Sequence, residues 1–266
     1  MKRRVCAIVE ASGEAGRNPL LRPLTVELAS RGVELICWDP TGPIELPPTP
    51  PSADLYLLKA DDPAALSAAG CLHDTGAPFL NSYPSTEAAA DKARTLARLA
   101  VHDVPVPSTR LVADPTTLAE ALAAGPRFVK PVRGAHGVGA AKLEPGQGCR
   151  AGPGPWLVQE VVADTPWVVK AYGVADRVAL RWMPFSAGAV DSPRLPMVDA
   201  DRRLVDLARR AARVTGLVCY GADFVLGRNG PVMVDLNSFP GYRTVEEAPR
   251  WVAAAALDAL ESSRWG

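Results

Sequence analysis

The chain has 266 residues, 48% hydrophobic and 22% charged, which is ordinary for a soluble globular protein with room for one large domain or several small ones. Its 29 Lys and Arg balance 29 Asp and Glu, so no overall field draws it to nucleic acid or to a membrane surface. Cys6, Cys37, Cys71, Cys149 and Cys219 are scattered, odd in number and without Cys-x-x-Cys spacing, which argues against a disulfide framework or a zinc site and fits a reducing, cytoplasmic setting. The basic start precedes an apolar run too short for a signal peptide, and no stretch approaches the ~18 apolar residues of a membrane span.

Residues 4–10 read as a short apolar strand, followed by a Gly-containing loop over 11–18. Leu20, Leu24 and Leu28 recur at helical spacing up to Gly32, which predicts a helix over 20–31 and a second strand over 33–38. A Pro-rich connection over 39–52 leads to a third strand, 54–58, that ends at Lys59. Residues 61–74 read as a helix with Pro63 in its first turn, and a fourth strand begins at 78–80. This β-α-β-β-α-β order predicts a small α/β domain over residues 1–86. Its first loop lacks Gly-x-Gly-x-x-Gly, which argues against a dinucleotide site of its own.

Residues 85–101 are expected to form one capped helix carrying Asp91-Lys92, after which 104–109 returns to extended chain. Residues 127–131 read as a strand that sets Lys130 among apolar neighbours, where a lone Lys ordinarily reaches out to water. It runs into a loop of small residues in which Gly134, Gly137 and Gly139 would let backbone N–H groups approach phosphate oxygens. A Gly/Pro-rich stretch over 144–155, expected to be a mobile loop, intervenes around the start of a strand at 156–160. Residues 168–183 read as a hairpin turning at Ala175-Asp176, with Lys170 on one strand and Arg181 on the other. Residues 186–200 are weakly patterned and read as a loop. Residues 201–215 read as an amphipathic helix with Leu204, Leu207, Ala211 and Val214 inward and its arginines on a solvated face, and 245–262 as an Ala-rich closing helix.

The stretch over 216–242, GLVCYGADFVLGRNGPVMVDLNSFPGY, reads as two strands around a turn at Arg228-Asn229-Gly230. A hairpin centred on Asn229 sets Asp223 opposite Asp235, Val225 opposite Met233 and Phe224 opposite Val234. One face then holds Ala222, Phe224, Leu226, Val232, Val234 and Leu236; the other holds Asp223, Val225, Met233, Asp235 and Asn237. Two carboxylates opposed at roughly 4.5–5.5 Å between Cβ atoms repel each other. A divalent cation removes that cost, and oxygen ligands suit Mg²⁺ or Mn²⁺.

These motifs, in this order from Asn81 to Leu260, resemble the ATP-grasp superfamily, and within it the RimK-like carboxylate–amine ligases and the inositol-trisphosphate 5/6-kinase branch. The resemblance rests on Asn81 before a helix with Asp91-Lys92, on Lys130-Pro131 before the Gly-rich loop, on Gln159-Glu160 ending a strand, and on Asp223 with Asp235-Leu236-Asn237-Ser238-Phe239-Pro240-Gly241. It implies an α/β (α+β) ATP-grasp fold: an N-terminal α/β domain (1–86), a central subdomain (87–165) and a C-terminal subdomain (166–266), the last two enclosing ATP. Carried over, Lys92 and Lys130 would bind the ATP phosphates and Gly134, Gly137 and Gly139 would cover them. Gln159, Glu160, Val161 and Val162 would hold adenine, and Asp164 the ribose. Asp223, Asp235 and Asn237 would hold Mg²⁺ or Mn²⁺ ions bridging the phosphates. Lys59, His136, Arg181 and Gly241 would meet the substrate, with Arg181, Lys170 and His136 in catalytic roles.

The resemblance implies an enzyme acting on a small molecule or a peptide, with no nucleic-acid or membrane partner. Its reaction would be ligation of a carboxylate to an amine; the alternative is phosphoryl transfer to a hydroxyl of a phosphorylated polyol. Two departures stand out. The family more often has Glu-x-Asn where this chain has Asp235-Leu236-Asn237, and the ligases usually carry Asp-x-Arg where it has Val168-Val169-Lys170.

Overall fold

Three four-stranded sheets organise the protein, a computed structural model that describes residues 2–9, 18–134, 138–146, 154–163, 167–184 and 202–262. The first sheet is parallel, in the order β2-β1-β3-β4, from β1 (Arg4–Ile8), β2 (Glu34–Trp38), β3 (Leu55–Leu58) and β4 (Phe79–Leu80). Val5, Ala7 and Val9 pack with Leu24 and Leu28 of α1 (Leu21–Ala29), while Cys6 and Ile8 pack with Ala65, Ala69 and Leu72 of α2 (Pro63–Asp74). Burial on both faces accounts for the unbroken apolar run of β1. Asp62 caps α2, accepting from the Ala64 and Ala65 N–H groups, with Pro63 in the first turn. The closing helix α7 (Ala248–Glu261) lies against α1 and shares its core through Val252, Ala253 and Ala256.

The expected single helix over 85–101 is two helices, α3 (Tyr83–Ala90) and α4 (Lys92–Val101). Asp91 breaks it: its backbone is extended (φ −98°, ψ 100°) and its carboxylate accepts the Arg94 N–H at 3.0 Å. An aspartate satisfies the free N–H groups of a first turn better than it serves a helix interior. The break puts Lys92 at the start of α4 rather than on a solvated face.

The second sheet is antiparallel, in the order β5-β8-β6-β7, from β5 (Thr109–Val112), β6 (Arg127–Pro131), β7 (Ala141–Leu143) and β8 (Trp156–Glu160). Helix α5 (Pro115–Ala123), which the sequence reading passed over, covers it with Leu118, Ala121 and Leu122 on Val129, Trp156 and Val158.

The third sheet, β10-β9-β11-β12, is antiparallel and comprises β9 (Trp167–Val174), β10 (Arg177–Pro184), β11 (Cys219–Gly227) and β12 (Gly230–Ser238). The β9–β10 hairpin turns at Ala175-Asp176 as expected. Strands β9 and β11 approach closely because Gly173 lacks a Cβ, which would collide with the Tyr220 ring. Helix α6 (Arg202–Thr215) buries Leu204, Ala208, Ala211, Ala212 and Thr215, with Leu207 and Val214 only flanking that stripe. The small side chains sit deepest because they let the helix come close to the sheet.

The β11–β12 hairpin corrects the expected register. Gly227 pairs with Gly230 around a two-residue turn, Arg228-Asn229, so Phe224 lies opposite Met233 and Val225 opposite Val232. A bulge then inserts Val234, and the register shifts by one so that Asp223 does lie opposite Asp235. Met233 is therefore in the core beside Phe224 and Leu236, and Val234 is not.

Candidate active site

One row across the third sheet carries the charges. Arg181 on β10 is paired with Lys170 on β9, Lys170 with Asp223 on β11, and Asp223 with Asp235 on β12. Side chains directly opposed in an antiparallel sheet share a face, so this row is a strip of two cations followed by two carboxylates. Lys170 Nζ stands 3.2 Å from Asp223 Oδ1 and 3.3 Å from Oδ2. Asn237, two residues along β12, donates its amide to Asp235 Oδ2 at 3.2 Å.

Two more lysines reach the strip. Lys130, on β6 of the facing sheet, is buried; its Nζ lies 3.6 Å from Asp235 Oδ1 and donates to the carbonyl of the bulge residue Val234 at 2.6 Å. Lys92 Nζ lies 4.0 Å from the same Asp235 oxygen and donates to the Gly134 carbonyl at 2.7 Å. Its own N–H binds the Val132 carbonyl at 3.1 Å, which ties the head of α4 to the loop after β6. Gly134 has φ +145°, a conformation that a side chain rarely permits.

The carboxylate pair therefore meets three lysines, not only its own repulsion. Burial pushes the Asp235 carboxyl up, but Lys130, Lys92 and Lys170 outweigh it and hold the group below the usual aspartate value. Burial raises Asp223 above that value, with Lys170 only partly compensating. For Lys130 burial wins and lowers the ammonium's pKa; for Lys170 burial is overcome by Asp223 and the pKa is raised. Burial pushes the Cys6 and Cys219 thiols up to about 12, which leaves both protonated and poor nucleophiles.

The donor set fits a hard divalent cation. It is all oxygen, and Asp223 Oδ1 is buried without a hydrogen-bond partner. No group of three or more His, Cys, Asp or Glu suited to a metal occurs among the described residues, so other oxygens would have to complete a shell.

The remaining expected residues divide. Gln159 is buried and spends its amide on the Thr109 hydroxyl at 3.0 Å; Glu160 donates its N–H to the Ser108 carbonyl at 3.0 Å. Val161 and Val162 continue past β8, and Val162 reaches Gly227 at the hairpin tip. Arg181 is buried and holds the bend after β12, donating Nε to the Thr244 carbonyl at 3.0 Å and Nη1 to the Leu180 carbonyl at 2.9 Å. Gly241 lies in that bend, and Lys59 follows β3 close enough to influence the Cys219 thiol. Gly139, with φ +75°, is described at the far end of the small-residue loop, whereas His136, Gly137 and Asp164, the 186–200 segment and most of the loop expected over 144–155 fall outside the described residues.

Sequence reasoning gave no structural role to three contributors, although Asn81 belonged to the pattern it used. Arg133 donates to Glu87 at 2.9 Å, and Arg94 to the other Glu87 oxygen at 2.6 Å, anchoring the root of the Gly-rich loop on α3. Asn81 is fully buried; its Oδ1 accepts from the Val218 and Cys219 N–H groups at 2.8 and 2.7 Å, and its Nδ2 donates to the Cys219 carbonyl at 2.7 Å. It fixes the start of β11 on the end of β4. The Val234 carbonyl is turned to Lys130 by a bulge that no residue type announced.

No protein-family model matches the chain. A RimK-domain ATP-grasp protein from Sphaerobacter thermophilus superposes on it with a TM-score of 0.77 and 20% identity, over 97% of this chain and 100% of its own. The chain has the ATP-grasp fold. The D-alanine–D-alanine ligase from Bacillus anthracis, solved with ATP, shares that fold with a TM-score of 0.73 at 14% identity, over 97% of this chain and 96% of its own. In sequence, a probable alpha-L-glutamate ligase from Rhodopirellula baltica is 28% identical over 203 residues, 68% of this chain and 49% of that protein. The chain thus spans about half the length of that relative, 49%. Between the second and third sheets, Lys130 and Lys92 converge on Asp235. Among the described residues no helix is long and apolar enough to cross a membrane.

Proposed function

We propose that the chain is an ATP- and Mg²⁺-dependent ATP-grasp ligase that forms an acyl phosphate from a carboxylate and joins it to an amine. The observation that carries this reading is the meeting of Lys130 and Lys92, from the second sheet and α4, with the Asp223–Asp235 pair of the third. A triphosphate in this cleft would draw both ammonium groups, and each charge-assisted contact strengthens in a buried setting. A divalent ion held by Asp223, Asp235 and Asn237 would offset phosphate charge when bound.

The chain's own residues position the reactants. The loop rooted at Gly134 and carried through Gly137 to Gly139 covers the phosphates, and Glu87 holds its root through Arg133. The backbone of Val161 and Val162 takes the adenine edge, since Glu160 N–H is committed to Ser108. Asp164 meets the ribose. Lys170 stands beside Asp223 on the acceptor side, with Arg181 one strand further on β10 and Lys59, His136 and Gly241 around the substrate. Arg181 acts chiefly by bracing the 239–245 bend. The substrate carboxylate oxygen bonds to the γ-phosphorus as the bond to ADP breaks. The amine then bonds to the acyl carbon, phosphate leaves with the C–O electron pair, and the amine gives up a proton.

We assign residues 1–86 to an N-terminal domain, 87–165 to the central subdomain and 166–266 to the C-terminal one, with α7 returning to cover the first. Transfer to a polyol hydroxyl is the weaker alternative, because the relative in sequence is a probable alpha-L-glutamate ligase and the Bacillus anthracis neighbour in fold a D-alanine–D-alanine ligase.

The test is to incubate the protein with Mg-ATP and a panel of small acids and peptides, with hydroxylamine present as a trap. L-glutamate is the first substrate to offer, as amine or as carboxylate. Carboxylate-dependent hydroxamate released in step with ADP is expected. Phosphate recovered on a polyol, with no hydroxamate from any acid, would overturn the ligase reading.

A further inference from the structure

We propose that Lys170 takes the place of a second divalent cation, so that the site holds one metal ion per chain with the nucleotide rather than a pair. This deepens the proposed function and rests on it. The sequence comparison with the family implied metal ions in the plural; the geometry of this chain gives a different count.

Lys170 is not a mobile surface lysine that happens to approach Asp223. The two residues are direct partners across the β9–β11 ladder, in the interior of a four-stranded sheet. Their side chains leave the same face at the same height, and register fixes them there. Lys170 Nζ donates to Asp223 Oδ2 at 3.3 Å and lies 3.2 Å from Oδ1, so its charge sits on the β9 side of the carboxylate while Oδ1 keeps no hydrogen-bond partner. A lysine ammonium is a compact point charge with three donors, suited to hold a carboxylate without the planar demands of guanidinium.

That leaves ligands for one ion. A hard divalent cation in a nucleotide site is held by one or two carboxylates together with phosphate oxygens and water. Asp223 and Asp235 are the carboxylates of the cluster, and no third acidic side chain joins them in a metal-binding group among the described residues. Asn237 supplies a neutral oxygen beside Asp235. Aspartate at 235 is also one methylene shorter than the glutamate more usual in the family, so its oxygens reach less far from the strand. An ion fits on the β12 side, between Asp223, Asp235 and Asn237. On the β9 side, where a second would sit, Lys170 already supplies positive charge.

Lys130 and Lys92 differ in kind. They arrive from the facing sheet and from α4, and their bonds to the Val234 and Gly134 carbonyls can be exchanged for phosphate oxygens without breaking a strand pair. Lys170 is bonded instead to a ligand carboxylate, and its position opposite Asp223 is set by the β9–β11 register.

The experiment uses the full chain, Mn²⁺ and the non-hydrolysable nucleotide adenylyl imidodiphosphate. Bound Mn²⁺ is counted by equilibrium dialysis, and electron paramagnetic resonance reports whether bound ions are coupled to one another. The wild-type chain is expected to bind one Mn²⁺ with an uncoupled spectrum. Lys170→Met is expected to bind two, with coupling, and Lys170→Gln serves as a second variant should the first fold poorly. Two coupled ions in the wild type overturn the proposal, as does a count of one in both folded variants. Failure of the nucleotide itself to bind, measured by calorimetry in the same samples, would instead sink the ATP-grasp ligase reading, and the proposal with it.

Discussion

Lys130 Nζ donates a 2.6 Å hydrogen bond to the Val234 carbonyl, joining the strand that precedes the Gly-rich loop to the bulge beside Asp235. A bulge re-aims a carbonyl that a regular ladder would have used between strands. Here it gives a buried ammonium a partner until a better one arrives. Lys130→Met is expected to weaken ATP binding by about 1.5–3 kcal/mol, roughly 10- to 150-fold, the range for hydrogen bonds to charged groups. Adenosine, without phosphates, should bind both proteins alike. Calorimetric titrations with the two ligands check this; equal losses would mark a folding defect.

Asp235→Asn should cost stability in the absence of metal. From the hairpin alone, relief of the Asp223–Asp235 repulsion would make the change neutral or mildly favourable. Lys130 and Lys92 reverse the sign, because a buried lysine loses its counter-charge when Asp235 does. A loss of about 1–3 kcal/mol in urea unfolding is expected. Mg²⁺ with nucleotide should raise the melting temperature of the wild type but not of the variant. An unchanged unfolding midpoint would show that the lysines do not compensate the pair.

Asn81→Asp should destabilise the protein although it alters a single atom group. Asn81 accepts from two backbone N–H groups and donates to the Cys219 carbonyl. Ionised Asp keeps the acceptors and loses the donor, and it sets a charge in a fully buried position. Asn81→Ala loses all three bonds, at about 1–3 kcal/mol for each buried group left unpaired. Denaturant titration at neutral pH measures both; a change below about 0.5 kcal/mol, the range of ordinary surface substitutions, would refute a joining role.

Glu87 predicts a pH dependence. The hydrogen bond from Arg133, with help from Arg94, holds its carboxyl below the usual glutamate value despite some burial. A carboxyl whose folded pKa is depressed contributes stability above its unfolded pKa and loses it as pH falls through the folded one. The stability gap between wild type and Glu87→Gln should therefore be full at pH 7, shrink below about pH 4.3 and vanish at lower pH. Unfolding midpoints across pH 3 to 7 test this; a gap that persists undiminished at pH 3 would assign Glu87 a role other than its charge.

The order of strands and helices was legible because short apolar runs and Leu spacing carry local information. The Asp223–Asp235 juxtaposition was also legible, although for an incomplete reason. The hairpin is centred between Arg228 and Asn229, and the bulge at Val234 restores the pairing that a different centre had suggested. Bulges arise from packing on both faces of a sheet, and Val234 looks like any other strand valine. The break at Asp91 had a signal, an N-cap residue, hidden by the alanines before it. Helix α5 had a clearer one, Asp114-Pro115 ahead of Leu118 and Leu122, that was passed over. The Lys170–Asp223 contact lies across 53 residues of sequence and could follow only from the pairing of β9 with β11.

Helix α7, the last described element, covers one face of the sheet formed by the first 80 residues of the chain. On the ribosome α1 can cover part of that face early, but the share that α7 takes has no cover until residues 248–261 emerge, and at ~5–20 residues per second the wait is on the order of tens of seconds. The apolar surface that Val252, Ala253 and Ala256 come to bury is open to other chains throughout that interval. Its final packing is a late event, completed when α7 docks beside α1.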